Sequence, residues 1–214
     1  MAERLQSKRP FALAIGGFYG LVFVFLFSAC SLFGGGDAAA KPTPAPTPTP
    51  VPAPATTGAA LTTYKGNGYT IGYPQGWKAT TRADGIVSFS DPNGIAYVAV
   101  TSQPNPQGVV SSANLVDAGL QALKSQIKNY QQADIAPTTK LAGETWNQGS
   151  ATGDVTPSGQ TSAVPAKVIV LATNHPASLP TTRGYTIAYG TGQQLFDLAN
   201  PAYFQPILNS FKFA

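Results

Sequence analysis

A proline stands at every second position from Pro42 to Pro54, seven in all. Each proline fixes its own φ and biases the residue before it toward extended backbone. The run therefore cannot be helix, and it lacks the N–H donors of a sheet ladder. Polyproline II is the conformation left to it. At ~3.1 Å per residue it would span roughly 40 Å and be stiffer than a Gly/Ser linker. Gly34-Gly35-Gly36 and the short, soluble stretch Asp37 to Ala40 precede it, so residues 31–60 read as a connector. As a stalk it would lift a domain off a surface; as an inert spacer it would only join two parts. Its Thr/Pro composition is also one that carries O-linked sugar. Either way, a packed core has to form on one side of this segment.

Residues 1–9 are polar and basic, and residues 11–29 are almost wholly apolar, unbroken from Leu21 to Phe27. A positive segment followed by an apolar run has the form of a bacterial secretory signal, with the positive end retained in the cytoplasm. The run ends Leu26-Phe27-Ser28-Ala29-Cys30, and Cys30 is the only cysteine in the chain. Small residues just before a lone Cys resemble the lipobox of bacterial lipoproteins, with Phe27 where that family most often has Leu. The resemblance implies cleavage between Ala29 and Cys30 and a diacylglycerol on the Cys30 sulfur. An uncleaved membrane anchor is the alternative, since nineteen residues reach about 28 Å as a helix, close to a bilayer core. A simple secreted form is the third. The resulting division is 1–29 signal peptide, 30–60 lipidated Cys and linker, and 61–214 one domain. The expected location is the outer face of the cell membrane or another envelope membrane.

Charge patterning excludes several functions. Charged residues are only 10% of the chain, against roughly 25% in an average soluble protein. Of the net +4, Arg4, Lys8 and Arg9 against Glu3 supply +2. Ten basic and eight acidic residues are scattered over everything after residue 29. No basic stripe is available to replace phosphate counterions, so a nucleic-acid partner is not expected. One His and one Cys exclude Cys–His catalysis, an intramolecular disulfide and most metal cages.

From residue 61 the pattern is that of a folded domain. Tyr69 to Tyr73 alternates large and small and stops at Pro74, a strand with a terminator. Trp77 to Thr80 continues it after a turn. Ile86 to Ser90 and Ile95 to Thr101 flank Asp91-Pro92-Asn93-Gly94, a hairpin turn with Asp, Pro and Gly where such turns favour them. Leu115, Val116, Gly119, Leu120, Leu123, Ile127 and Tyr130 then recur at helical spacing. Ser111 or Ser112 would cap that helix, with Lys124 and Lys128 near its end. Strands are expected over 134–141, 145–154, 164–173 and 185–189. The tail from Gln193 to Phe211 reads as a broken helix, with Asn200 as N-cap before Pro201 and a kink at Pro206. Gly68 to Tyr73 nearly repeats as Gly184 to Tyr189, with unmatched flanks, which reads as convergence on one strand pattern. The fold class is α+β, helices layered on a mainly antiparallel sheet.

Tyr69-Thr70-Ile71-Gly72-Tyr73-Pro74 with Trp77 three residues on, Phe89-Ser90-Asp91-Pro92, and the ending Ser210-Phe211-Lys212-Phe213 resemble motifs of the PsbP-like family. That family shares its fold with the Mog-type Ran-binding proteins. The resemblance runs in order from Tyr64 to Ala214 and implies an α-β-α sandwich that acts through binding. Photosynthetic members are extrinsic lumenal subunits that help retain calcium and chloride at photosystem II; others are exported lipoproteins. Calcium enters here only through that resemblance. The Pro/Thr segment and the lipobox set this chain apart from the photosynthetic type.

Catalytic chemistry is sparse. His175, in Asn174-His175-Pro176, reads as a surface-loop residue with no acidic neighbour in sequence. The domain's acids, Asp84, Asp91, Asp117, Asp134, Glu144, Asp154 and Asp197, stand singly, without the spacing of a calcium loop. Asp91 and Asn93 could offer oxygens to an ion, but a turn role accounts for both. Gly190-Thr191-Gly192 lacks the Lys and spacing of a phosphate loop. Trp77 is expected in the core; Trp146 is either core or an exposed platform. The expectation is a non-catalytic lipoprotein, lipidated at Cys30, that binds a protein partner in the envelope. The alternative is a small-ligand or ion-binding lipoprotein serving a transporter or sensor. A hydrolase would require His175 and the carboxylates to converge in space.

Overall fold

The computed structural model describes residues 60–156 and 161–214. The signal-like run, Cys30 and the proline tract lie outside the described residues. In chain order the strands are β1 (Leu61–Gly66), β2 (Tyr69–Pro74), β3 (Lys78–Thr81), β4 (Val87–Ser90) and β5 (Tyr97–Pro104). After helix α1 (Ser112–Lys124) come β6 (Lys128–Ala133), β7 (Thr138–Leu141), β8 (Glu144–Val155), β9 (Val164–His175) and β10 (Arg183–Gly192). The chain closes with α2 (Phe196–Ala199), a wide helical turn (Asn200–Phe204), α3 (Gln205–Asn209) and β11 (Lys212–Phe213). One sheet has the order β3-β4-β5-β10-β9-β8-β6, with β7 also on β8; a second has the order β1-β2-β11. Every pairing among the described residues is antiparallel. The domain is α+β around a mainly antiparallel sheet, as the residue pattern predicts.

Both faces of the large sheet are covered along the middle of β9, which is why Val168 to Ala172 is apolar over consecutive positions rather than alternate ones. Val168, Val170 and Ala172 face α1 and pack with Val116, Leu120 and Leu123. Ile169 and Leu171 belong to the opposite cluster, with Ile71 of β2 and Phe204, Ile207, Leu208 and Phe211 of the tail. Glycines let α1 lie close to the strands. A Cβ on Gly149 would stand 2.8 Å from Leu120 Cδ1, and one on Gly119 would stand 2.9 Å from Val170 Cγ1.

Three expectations are corrected. The helix ends at Lys124, not Tyr130. Ser111 caps its start, its side chain accepting from Asn114 N–H. At the far end the N–H groups of Gln126 and Ile127 both donate to Leu123 O, closing the helix. Ile127 stays in the α1 cluster, but Lys128 and Tyr130 belong to β6, entered through Asn129 at φ 51°. The strand expected over 134–141 divides into the end of β6 and a separate β7, with Ile135-Ala136-Pro137 between them. Asn200 is not an N-cap: its backbone is helical and no side-chain cap bond forms. The wide turn absorbs Pro201.

The last strand closes the structure. Lys212 and Phe213 pair with Thr70 and Tyr69, and the same register would place Ser210 opposite Gly72. There the chain has already turned into helix, so the Ser210 side chain takes over the ladder's role. Gly72 N–H donates to Ser210 Oγ at 2.6 Å, and Ser210 Oγ donates to Ile207 O at 2.5 Å. Gly72 is tightly enclosed: a Cβ there would stand 3.0 Å from Leu61 Cβ and from Ser210 Oγ, which would have to give way by a few tenths of an ångström.

Candidate functional site

Two regions at opposite ends of the large sheet have functional chemistry. The first gathers where β5 and β9 end and β8 and β10 begin. The β8–β9 register pairs Asn147 with Ala172, so Glu144 falls opposite His175. The Glu144 Oε1 to His175 Nδ1 separation is 2.5 Å, with the side chains 35% and 31% exposed. His175 is thus the last residue of β9 with an acidic partner 31 residues away, not an isolated loop residue. No local pattern signals this pair; it follows from strand register alone. The imidazole stacks on Phe213, centroids 3.8 Å apart at 12°, and Phe213 in turn stacks on Trp146 at 6.1 Å. At about a third exposed, the pair contributes on the order of 0–1 kcal/mol. Among the described residues, no hydroxyl or thiol is hydrogen-bonded to His175. The geometry is that of a pin holding β11 in place.

Beside it, Arg183 Nε donates to Ser102 Oγ at 2.8 Å and Arg183 Nη2 to Ser102 O at 3.0 Å. Ser102 Oγ donates to Asn67 O, and Tyr185 Oη to Gly68 O, so the β1–β2 turn is fastened to the large sheet. Burial raises the Tyr185 hydroxyl above its ordinary value. Tyr69, from the echoed hexapeptide, meets Tyr185 edge-on at 6.4 Å, the two copies lying in different sheets. Tyr69 Oη is buried with no hydrogen-bond partner among the described residues, and burial raises its pKa strongly.

At this same end two loops brace one another. Gln107 N–H donates to Leu179 O at 2.8 Å, and Asn105 N–H to Thr182 O at 2.9 Å. The amides of Asn105 and Asn174 both donate to Val110 O, at 2.7 and 2.8 Å. Gln107 and Ser178 are held at φ 61° and 57°, a conformation that non-glycine residues adopt at a cost. The braced pair presents Val109, 82% exposed, with Val110 and Leu179 beside it at 42% and 48%. Sequence patterning gives no sign of this surface, because the joint exposure of a Val-Val pair and a leucine some seventy residues on is a tertiary property.

The remaining residues singled out by the sequence resolve one by one. Trp146 is core, fully buried, with its indole N–H donating to Leu141 O at 3.1 Å. Trp77 is also core. Asp91 spends its carboxylate on its own turn, accepting from the N–H groups of Asn93, Ile95 and Ala96 at 3.1, 2.5 and 2.8 Å. Among the described residues, no three His, Cys, Asp or Glu gather as a metal site. Gly190-Thr191-Gly192 lies within β10. Cys30, the expected lipid attachment residue, lies outside the described residues. Among the described residues, no helix is long and apolar enough to cross a membrane.

The second region is a cavity of about 400 Å³ at the far end of the α1 face. Tyr97 and Val168, both in the α1 cluster, form its floor, with Ala166 beside them. Ile95, Val164 and Leu195 stand around it, Ile95 and Val164 being 47% and 37% exposed. Asn93, Gln193 and Gln194 are uncharged polar residues in its lining. Among the described residues, no Lys, Arg, Asp or Glu lines the cavity.

No protein-family model matches the chain, and no curated protein matches it. Among solved structures the chain is similar to a protein of Bacteroides thetaiotaomicron VPI-5482, with a TM-score of 0.41 and 7% identity over 69% of this chain. The match covers 45% of that protein, so this chain spans just under half its length. It is similar also to LpqN, involved in cell envelope biogenesis of Mycobacterium tuberculosis. There the TM-score is 0.42 and identity 13%, over 72% of this chain and 91% of LpqN.

Proposed function

We propose that the protein is an exported, membrane-tethered lipoprotein of the cell envelope whose PsbP-like sandwich domain binds a protein partner and has no catalytic role. Cys30 carries the lipid, and residues 31–60 form the stalk. The observation that carries the partner-binding reading is the braced apolar tip of Val109, Val110 and Leu179. Solvent-exposed aliphatic side chains on loops rigidified by five backbone and side-chain hydrogen bonds present a preformed surface, which lowers the ordering cost of association. The tip also stands away from Leu61, the first strand residue of the domain. Leu61 pairs with Pro74 at one end of the small sheet, whereas the Asn67-Gly68 turn at its other end contacts Ser102 and Tyr185. Scarce charge on the domain is consistent with an apolar contact.

Cross-linking of the full-length protein in its native membranes, followed by mass spectrometry, tests this. Reproducible recovery of one envelope protein, lost on Val109→Asp or Leu179→Asp, is the expected result. Recovery of the chain alone, or of a partner indifferent to both changes, refutes the assigned surface. The tether is tested separately by Cys30→Ser: a variant that still incorporates palmitate and still sediments with membranes would overturn lipidation at this residue.

A further inference from the structure

The cavity exists because a helix and a strand of similar residue count differ in length. Helix α1 has 13 residues and β9 has 12. At ~1.5 Å per helical residue and ~3.3 Å per strand residue they measure roughly 20 and 40 Å. The helix starts at the His175 end of the sheet, where Leu115 lies against Gly184, and it closes near Ile127 and Gly153. Gly153 pairs with Ala166, so from there the α1 face of β9 runs on through Ala166 to Val164 without α1 above it, and the cavity opens beside this end, bordered by the short 3-10 turn Gln193–Leu195. Burying both faces of a sheet is what favours an apolar strand, yet this stretch keeps apolar residues where the cover stops. Ile95 and Val164, two of the domain's exposed large hydrophobic residues, are at its mouth.

We propose that this cavity binds a single hydrocarbon chain of a neutral lipid. The volume decides the size: about 400 Å³, at about 30 Å³ for a water-sized group, holds roughly a dozen methylenes. The lining decides the chemistry. An apolar floor of Tyr97, Ala166 and Val168 matches methylenes, and Asn93, Gln193 and Gln194 match an uncharged hydroxylated head group. With no charged side chain among the described lining residues, a phosphate or carboxylate would be desolvated without a counter-charge. The volume lies within the range usual for small-molecule sites, which are mostly apolar with a few polar groups. This site is independent of the partner surface, which lies at the other end of the sheet.

The test uses the full-length protein in its native membrane fraction and a photoactivatable, click-tagged monoacylglycerol as probe. The expected label maps to the peptides holding residues 93–97 and 164–168. Unlabelled monoacylglycerols should compete roughly fourfold better for each added methylene, levelling off near a dozen carbons. Ile95→Asn, at an exposed position that leaves the core intact, should reduce labelling several-fold; Ala166→Phe, which fills the floor, should abolish it. Label confined to residues before 60, spread evenly over the domain, unmoved by both variants, or displaced equally by every chain length would overturn the proposal. Partner recovery in the cross-linking experiment is read separately and does not depend on this result.

Discussion

Replacing Ser210 with Ala would remove one oxygen and leave the backbone donor of Gly72 without its protein acceptor. In the native domain Gly72 is buried, its N–H donates to Ser210 Oγ at 2.6 Å, and the β11 side of the ladder offers no strand partner at this position. An orphaned buried donor costs about 1–3 kcal/mol. For a domain of this size each kcal/mol moves Tm by roughly 2–4 °C, so Ser210→Ala should melt about 2–12 °C lower. Thermal unfolding by calorimetry reads the global effect, and hydrogen exchange reads the Gly72 amide itself. That amide should exchange faster in the variant even under conditions where the rest of β2 stays protected. Asn209→Ala, one residue earlier and exposed, should change stability by no more than about 0.5 kcal/mol. A Tm within about 1 °C of wild type, with unchanged Gly72 protection, would refute the claim that the side chain completes the ladder.

Two other outcomes follow from the packing and from the buried phenols. Gly149→Val should lower stability by about 1–3 kcal/mol in a denaturant melt, since even a Cβ stands 2.8 Å from Leu120 and forces α1 away from the sheet; an unchanged midpoint would show that the helix is not held this closely. Burial pushes the Tyr189 hydroxyl up to about 12 and raises Tyr69 and Tyr97 further. Folded pKa values above the ordinary value near 10 mean that the neutral phenols' contribution is complete below pH ~10 and is lost as pH rises through the folded values. Stability should therefore fall above pH ~10, with these phenolates forming together as the protein unfolds; ultraviolet titration showing independent, non-cooperative ionisation would contradict their burial.

The residues by themselves determined the segments whose structure is local. Asp91-Pro92-Asn93-Gly94 makes its turn with its own backbone donors, and the 3.6-residue stripe from Val116 to Leu123 makes an amphipathic helix anywhere. Seven alternating prolines in residues 42–54 by themselves set an expectation of extended backbone, on residues outside those described. Tertiary structure decided what depends on register and on competing partners. Tyr130 continues the helical spacing, yet pairing along β8 captures Lys128 to Ala133 for the sheet. Two nearly identical hexapeptides enter different sheets, because β2 pairs with β1 and β11 while β10 lies between β5 and β9. Glu144 meets His175 only after the β8–β9 hairpin fixes its register. The cavity likewise required three dimensions, since it arises from a helix rising less than half as far per residue as the strands it covers.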